Sequence, residues 1–337
     1  MRFPFWRPAA DAVGLIGSES EIRRPRVGLA LGAGAARGWA QIGVLRELLA
    51  YGLVPDVIVG TSMGAVVGGC YCAGRLDNLE AFALSLTKRR VFGLMDFTIS
   101  GTGLLSGGRL RAALVRDLGS TQIENLPIRF ASVATQIQTG HEIWLSHGNL
   151  VDALRASYAL PGVFEPVQID GRWLIDGALV NPVPVSVCRA LGAETVIAVN
   201  LVAETLSRVE TPQPSFDQNT NVTPTIEQNG GFFQSWGTYA SGAKSRPKAA
   251  AQSGPSIAQV LVDAFNITQD RIARSRLAGD PPDLTINAKV GRIGLFEFHR
   301  AAELIAIGRD AAQKALPDLS ELLQYPVPAS QPGRITF

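Results

Sequence analysis

A serine stands between two glycines in the segment Gly60-Thr61-Ser62-Met63-Gly64. The apolar run 57–59 precedes it and a proline-free stretch, 65–73, follows, so the serine falls where a buried strand passes into a helix. A G-x-S-x-G turn in that context strains the backbone and exposes the serine hydroxyl at a helix N-terminus. Gly60 and Gly64 fit this reading because a Cβ would collide across so tight a turn. The pattern predicts a nucleophile, with a structural serine as the alternative.

A second small-residue turn lies earlier in the chain, where the apolar strand 27–31 runs into Gly32-Ala33-Gly34-Ala35-Ala36-Arg37-Gly38. Such a turn presents backbone amides, and backbone amides stabilise the oxyanion of an acyl-transfer intermediate. A reactive hydroxyl beside such donors is the equipment for acyl transfer.

The nucleophile needs a base. The three histidines are not in turns typical of catalytic sites: His141, His147 and His299. Two Asp-Gly pairs are better candidates. Asp170-Gly171 is typical of a two-residue hairpin turn. Asp176 follows the apolar residues 173–175, so its carboxylate should emerge at a strand end, where α/β sheets place their chemistry. We therefore predict Asp176 as the base.

Strand-like and helix-like segments alternate through the first 200 residues or so. The predicted strands include 27–31, 57–59, 130–135 and 195–201, with amphipathic helices between them. This alternation predicts an α/β fold in three layers, a mainly parallel sheet with helices on both faces.

The chain resembles the bacterial patatin-like phospholipases, relatives of the catalytic domain of the neuropathy-target esterases. Four segments carry the resemblance, in this order: the glycine-rich turn 31–38, the elbow 60–64, Ala156-Ser157-Tyr158-Ala159-Leu160-Pro161-Gly162-Val163-Phe164, and Asp176-Gly177-Ala178 with Asn181-Pro182-Val183-Pro184. The resemblance implies a patatin-like domain over residues 25–316 and hydrolysis of phospholipids, lysophospholipids or related acyl esters.

The resemblance also implies a Ser–Asp dyad without histidine. Ser62 would attack the ester carbonyl, Asp176 would take its proton, and the amides of Gly34 and Ala35, with Arg37 nearby, would hold the oxyanion. This chain departs from the family at Ala33 and Ala35, which interrupt the usual run of glycines, and at Gln41, where relatives often have histidine. Alanine keeps its amide but resists positive φ, so the geometry of the turn is in question.

Composition limits the function classes. The 337 residues are 46% hydrophobic and 18% charged, with a net charge of +2, so the chain can bury a large core and shows no nucleic-acid footprint. The cysteines lack metal-site spacing and are predicted to be buried free thiols in a reducing compartment: Cys70, Cys72 and Cys188. We expect no metal, no cofactor and a cytoplasmic location, with peripheral contact at the inner face of the membrane left open.

The ends of the chain and one long insertion stand apart from this domain. Residues 1–24 are predicted to be an N-terminal extension without a signal peptide, and 317–337 a C-terminal tail. Residues 203–256 are polar except for an aromatic cluster within 232–239, and their role as lid, membrane contact or disordered linker is left open. The uncharged run 57–74 approaches the length of a membrane span, but its glycines favour a strand followed by a buried helix.

Three other readings remain. Gly32-x-Gly34 after a strand resembles the start of a dinucleotide-binding fingerprint, but Asp56 precedes its strand instead of ending it. A histidine-triad α/β-hydrolase would have to use His299. A non-enzymatic scaffold at a membrane could keep the same fold. Ester hydrolysis that is lost on Ser62→Ala separates the hydrolase readings from the dinucleotide-binding and scaffold readings.

Overall fold

The computed structural model describes residues 24–94, 108–201 and 257–323. The predictions for the N-terminal extension, for the insertion 203–256 and for its aromatic cluster lie outside the described residues.

One sheet of eight strands organises the described residues. The strands are β1 (Val27–Leu31), β2 (Val57–Thr61), β3 (Arg129–Gln136), β4 (Glu142–Leu145), β5 (Val167–Ile169), β6 (Arg172–Asp176), β7 (Thr195–Asn200) and β8 (Leu284–Asn287). Their order is β5-β6-β3-β2-β1-β7-β8, and β4 also pairs with β3. Strands β3, β2, β1, β7 and β8 run parallel, whereas β4 and β6 pair antiparallel with β3.

Nine α-helices are described around this sheet. They are α1 (Ala40–Ala50), α2 (Met63–Cys72), α3 (Leu76–Leu84), α4 (Lys88–Leu94), α5 (Gly108–Leu118), α6 (Leu150–Tyr158), α7 (Val185–Ala190), α8 (Ile257–Gly279) and α9 (Ala301–Leu323). Short 3-10 helices span Ala35–Trp39, Ile123–Asn125, Gly177–Leu179 and Phe298–Arg300. The three-layer, mainly parallel α/β architecture predicted from the sequence is confirmed.

The central strands are apolar along their whole length because both of their faces are covered. Every residue of β1 (VGLAL) and of β2 (VIVGT) is buried. Continuous apolar runs of this kind are typical of parallel strands packed between two helical layers. The carboxyl ends of β1 and β2 therefore meet at one edge of the sheet, and the two glycine-rich turns follow directly from them.

Two parts of the chain differ from the sequence predictions. Helix α4 was not predicted. The domain was expected to end at residue 316, but α9 continues through Pro317 to Leu323, so the expected tail boundary at 317 falls inside it. Burial explains the extension, because Leu319 and Leu323 both pack into the core.

The apolar run 57–74 is not a single helix but β2 followed by α2. Across 24–94, 108–201 and 257–323, no helix combines the length and the apolar character needed to cross a membrane.

Candidate active site

Ser62 lies in the one-residue step between β2 and α2. Its backbone has φ 56° and ψ −123°, a left-handed conformation that residues with a side chain rarely adopt. Strain of this kind persists where the surrounding structure enforces it, and it is common at functional sites. The predicted strand–turn–helix context of the serine is present.

The two glycines of the turn are sites of close contact. A Cβ at Gly60 would lie 2.4 Å from the Cα of Ala65, within the turn itself. A Cβ at Gly64 would lie 2.2 Å from the carbonyl oxygen of Leu31, the last residue of β1. Glycine at these positions lets the serine turn close and lets it pack against the first glycine-rich turn.

The hydroxyl of Ser62 meets a carboxylate directly. Ser62 Oγ donates to Asp176 Oδ2 at 2.7 Å. Asp176 is the last residue of β6, and its other carboxylate oxygen accepts the amide of Ala178 at 2.9 Å. The backbone of Asp176 is held as well, because its carbonyl accepts from Thr135 Oγ1 at 2.8 Å and its amide donates to the Ala159 carbonyl at 2.9 Å. The carboxylate is thus fixed in place against the serine.

Burial governs the electrostatics of Asp176. The residue is only 2% exposed, and this loss of solvation raises the pKa of its carboxyl from 3.8 to about 7. The hydrogen bonds from Ala178 and Ser62 act in the opposite direction and are outweighed. A carboxyl with a pKa near neutrality is suited to take up and return a proton.

The other candidate bases lie elsewhere. Asp170 and Gly171 have φ values of 48° and 76° and form the tight turn between β5 and β6, as expected of an Asp-Gly hairpin. Ring atom Nδ1 of His147 contacts Ser146 Oγ, and burial and Lys88 lower the pKa of His299. Within the described residues, the partner of the Ser62 hydroxyl is Asp176 and not a histidine.

Two backbone amides of the glycine-rich turn have no acceptor among the described residues. The amides on either side are used within the fold: Ala33 donates to the Pro182 carbonyl at 2.8 Å and Ala36 to the Leu295 carbonyl at 2.9 Å. The amides of Gly34 and Ala35 donate to no other residue of the described chain. Two adjacent unused amides beside a serine are suited to bind an oxyanion.

Ala35 has a positive φ, the conformation that an alanine side chain was expected to resist. Its φ is 46°, positive in spite of its Cβ, whereas Gly34 has an extended φ of 175°. The alanine therefore keeps the turn but strains its backbone. Strain of this kind costs about 1–3 kcal/mol per residue. The turn also touches the elbow, since a Cβ at Gly38 would lie 2.5 Å from the Cβ of Met63.

Arg37 connects this turn to a distant part of the chain. The residue is buried, and its Nε donates to the carbonyl of Ile293 at 2.7 Å. Ala35 lines the cavity next to Ser62, and Arg37 does not. Arg37 thus anchors the turn on the segment around Ile293, and its role at the oxyanion stays a prediction.

Sequence reasoning assigned no role to two polar residues that hold the turns. Gln41 is fully buried on α1, and its Nε2 donates to the carbonyl of Gly32 at 2.7 Å. Ser157 is fully buried on α6, and its Oγ accepts the amide of Ser62 at 2.9 Å. A polar residue on an otherwise apolar helix face was the available signal for Gln41. For Ser157 the signal was its place in the stretch 156–164.

An open cavity adjoins the serine. Ser62 and Asp176 lie in its wall, and most of its other lining residues are aliphatic or aromatic. Helix α2 forms one side, through Met63, Val66 and Cys70. Cys70 lies eight positions after Ser62, so this side extends about 12 Å at the rise of an α-helix. The shape fits a long apolar group attached to a reacting carbonyl.

Comparison with known proteins identifies the family of this chain. A family model described as patatin-like phospholipase matches residues 29–189, which contain both glycine-rich turns and Asp176. An NTE family protein of Mycobacterium tuberculosis is 37% identical over 92% of this chain and 95% of its own length. The chain belongs to the patatin-like phospholipases, within the NTE family. The resemblance inferred from the four motifs is confirmed, and the membership makes this protein a lipid-hydrolysing enzyme.

More distant matches include a fungal protein and a bacterial structure. A lysophospholipase of Emericella nidulans is 25% identical over 90% of this chain, which corresponds to 19% of that protein. The crystal structure of VipD from Legionella pneumophila covers 93% of this chain and 84% of VipD, at 12% identity and a TM-score of 0.37. That likeness is too low to inform the site.

Proposed function

We propose that this protein is a serine acyl hydrolase that cleaves the carboxylic esters of phospholipids or lysophospholipids through a Ser62–Asp176 dyad. The observation that carries the proposal is the 2.7 Å hydrogen bond from Ser62 Oγ to Asp176 Oδ2 in the wall of an apolar cavity. The fungal relatives named lysophospholipases support a lipid ester as the substrate.

The reaction follows from the positions of these groups. Ser62 Oγ attacks the ester carbonyl while Asp176 takes its proton, and the amides of Gly34 and Ala35 stabilise the tetrahedral oxyanion. Asp176 then gives the proton to the departing alcohol, which leaves an acyl-enzyme on Ser62. Water attacks that ester with Asp176 again as base, and the proton returns to Ser62 as the fatty acid leaves.

The direct test uses pure protein and a panel of lipids. Incubation with phospholipids and lysophospholipids, followed by mass spectrometry of the products, should yield free fatty acid together with the deacylated lipid. Ser62→Ala should abolish both products. Release of the phosphate-containing headgroup, with the acyl esters of the remaining lipid intact, would instead show a different class of lipase.

Activity should depend on pH through Asp176. A base must be deprotonated, and burial raises the pKa of this carboxyl to about 7. We expect kcat/KM for a neutral, soluble ester to rise from pH 5, about tenfold per unit at first, and to level off above pH 8. A profile already flat at pH 5 would contradict this assignment. Asp170→Asn, in the hairpin turn, should give the wild-type profile.

Chain-length preference should depend on the cavity wall formed by α5. The side chain of Ala113 lines the cavity, whereas its neighbour Ala112 is exposed. Ala113→Phe should place a ring in the apolar space and lower kcat/KM for long-chain esters about tenfold or more relative to short ones. Ala112→Phe is the matched control on the same helix and should leave the ratio unchanged. The measurement is kcat/KM over esters of increasing acyl length, and equal ratios in both variants would place the acyl chain elsewhere.

A further inference from the structure

The end of α6 contacts both residues of the proposed dyad. Ser157, the last residue but one of the helix, accepts the backbone amide of Ser62 on its Oγ at 2.9 Å. Two residues later, the Ala159 carbonyl accepts the backbone amide of Asp176 at 2.9 Å. One turn of chain therefore fixes the backbone of the nucleophile and that of the base relative to each other.

Ser157 is itself held in one orientation. Its hydroxyl donates to the carbonyl of Val133 on β3 at 2.6 Å, so its lone pairs face the amide of Ser62. The side chain is fully buried. Water is thus poorly placed to replace it, and a buried amide without an acceptor is strongly disfavoured.

The amide that Ser157 accepts belongs to the strained residue. Ser62 has φ 56°, and relaxation of this turn would swing its Oγ away from Asp176. A hydrogen bond to the Ser62 amide opposes that relaxation at the position where it would begin. Small displacements matter here, because a misplacement of about 1 Å costs about 10²-fold in rate.

We infer that Ser157 is a positioning residue, which holds the amide of Ser62 so that the nucleophile keeps its contact with the base. The inference rests on the proposed function. The rival explanation is that Ser157 only docks α6 on β3.

The chain supplies a matched control for this rival explanation. Ser132 on β3 is also fully buried and bridges the same two elements, because its Oγ donates to the Ala153 carbonyl of α6 at 3.1 Å. It makes no hydrogen bond to Ser62 or Asp176. Ser132→Ala removes a buried serine from the β3–α6 interface without touching the dyad.

The experiment compares Ser157→Ala, Ser132→Ala and Ser62→Ala with the wild type on a short, soluble ester. We expect Ser157→Ala to lower kcat about 10²-fold with KM within about threefold, while Ser132→Ala stays within about threefold in both. Circular dichroism and thermal unfolding verify that each variant is folded. Should Ser157→Ala not fold, Ser157→Cys keeps a weak acceptor at the position and is expected to lose about tenfold in kcat.

A second readout separates positioning from packing. The hydrogen bond from Ser62 lowers the pKa of the Asp176 carboxyl, so weakening it should move the acid limb of the pH profile to higher pH. We expect this shift in Ser157→Ala and not in Ser132→Ala. The rate at which a fluorophosphonate labels Ser62 should fall in parallel with kcat.

The outcomes are distinct. Equal kcat in the two folded serine variants, or an unshifted acid limb in Ser157→Ala, would reduce Ser157 to a packing residue. An inactive wild type, or an active Ser62→Ala, would instead overturn the proposed function, whatever the Ser157 variants do.

Discussion

Ser62→Ala and Asp176→Asn should each lower ester hydrolysis by about 10⁴-fold or more, the size of loss seen when a catalytic triad loses its acid or its nucleophile. The expectation follows from one contact, the 2.7 Å hydrogen bond between Ser62 Oγ and Asp176 Oδ2. Without the hydroxyl no acyl-enzyme forms, and an amide at 176 cannot take up the proton. The measurement is kcat/KM on a soluble ester, together with fluorophosphonate labelling at Ser62.

Asp170→Asn is the matched control, since the same substitution is made in the hairpin turn at the other end of β6. It should stay within severalfold of the wild type. A severe loss in Asp170→Asn together with an active Asp176→Asn would reverse the assignment of the base. A folded but inactive variant of His299 would argue for a triad instead.

The stability of Asp176→Asn provides a test independent of activity. In the folded protein the carboxyl has a pKa of about 7 and in the unfolded chain one near 3.8, so the folded state holds this proton more tightly. The ionised carboxylate therefore destabilises the fold increasingly as pH rises from about 4 to 7, and the cost is constant above. The variant, which is neutral throughout, should gain in melting temperature relative to the wild type across that window. A constant difference between pH 4 and 8 would show that Asp176 is not buried as an acid.

The parts of the site that follow from local sequence were predictable. An apolar strand, a Gly-x-Ser-x-Gly turn and a helix are determined by neighbouring residues, so Ser62 could be placed from them. Asp176 was predicted as the base in preference to Asp170 because Asp176 follows an apolar strand, whereas Asp170 begins an Asp-Gly hairpin. The parallel sheet could be predicted because buried strands are apolar along their whole length.

Contacts between distant segments were not predictable. Arg37 anchors its turn on Ile293, more than 250 residues away, and no local pattern specifies that partner. Ser157 meets Ser62 only because α6 packs beside β3 and the elbow. The extension of α9 past Pro317 depends on the burial of Leu319, which outweighs the loss of one helical hydrogen bond.

The second prediction with a large expected effect concerns the proposed oxyanion donors in the glycine-rich turn after β1. Gly34→Val should lower kcat by about 10²–10³-fold, the cost of losing one such donor. A Cβ at this position would lie 2.8 Å from Leu201 Cδ1, and the branches of valine add to that crowding. Leu201 is itself buried, so its side chain has little room to turn away, and we expect the backbone at Gly34 to shift together with the amides of Gly34 and Ala35.

Substitutions at Ala35 test the backbone conformation of this residue while its amide donor is kept, because every residue except proline has that amide. Ala35→Gly removes the Cβ from a residue with φ 46° and should retain turnover with equal or higher thermal stability. Ala35→Val places a β-branched side chain at the same positive φ and should lose activity as Gly34→Val does. Labelling of Ser62 by a fluorophosphonate, whose phosphoryl oxygen needs the same donors, should follow the same order. Wild-type turnover by Gly34→Val would contradict the assignment of this turn as the oxyanion donor, because the crowding next to Leu201 falls on the residue that carries one of the two proposed amides.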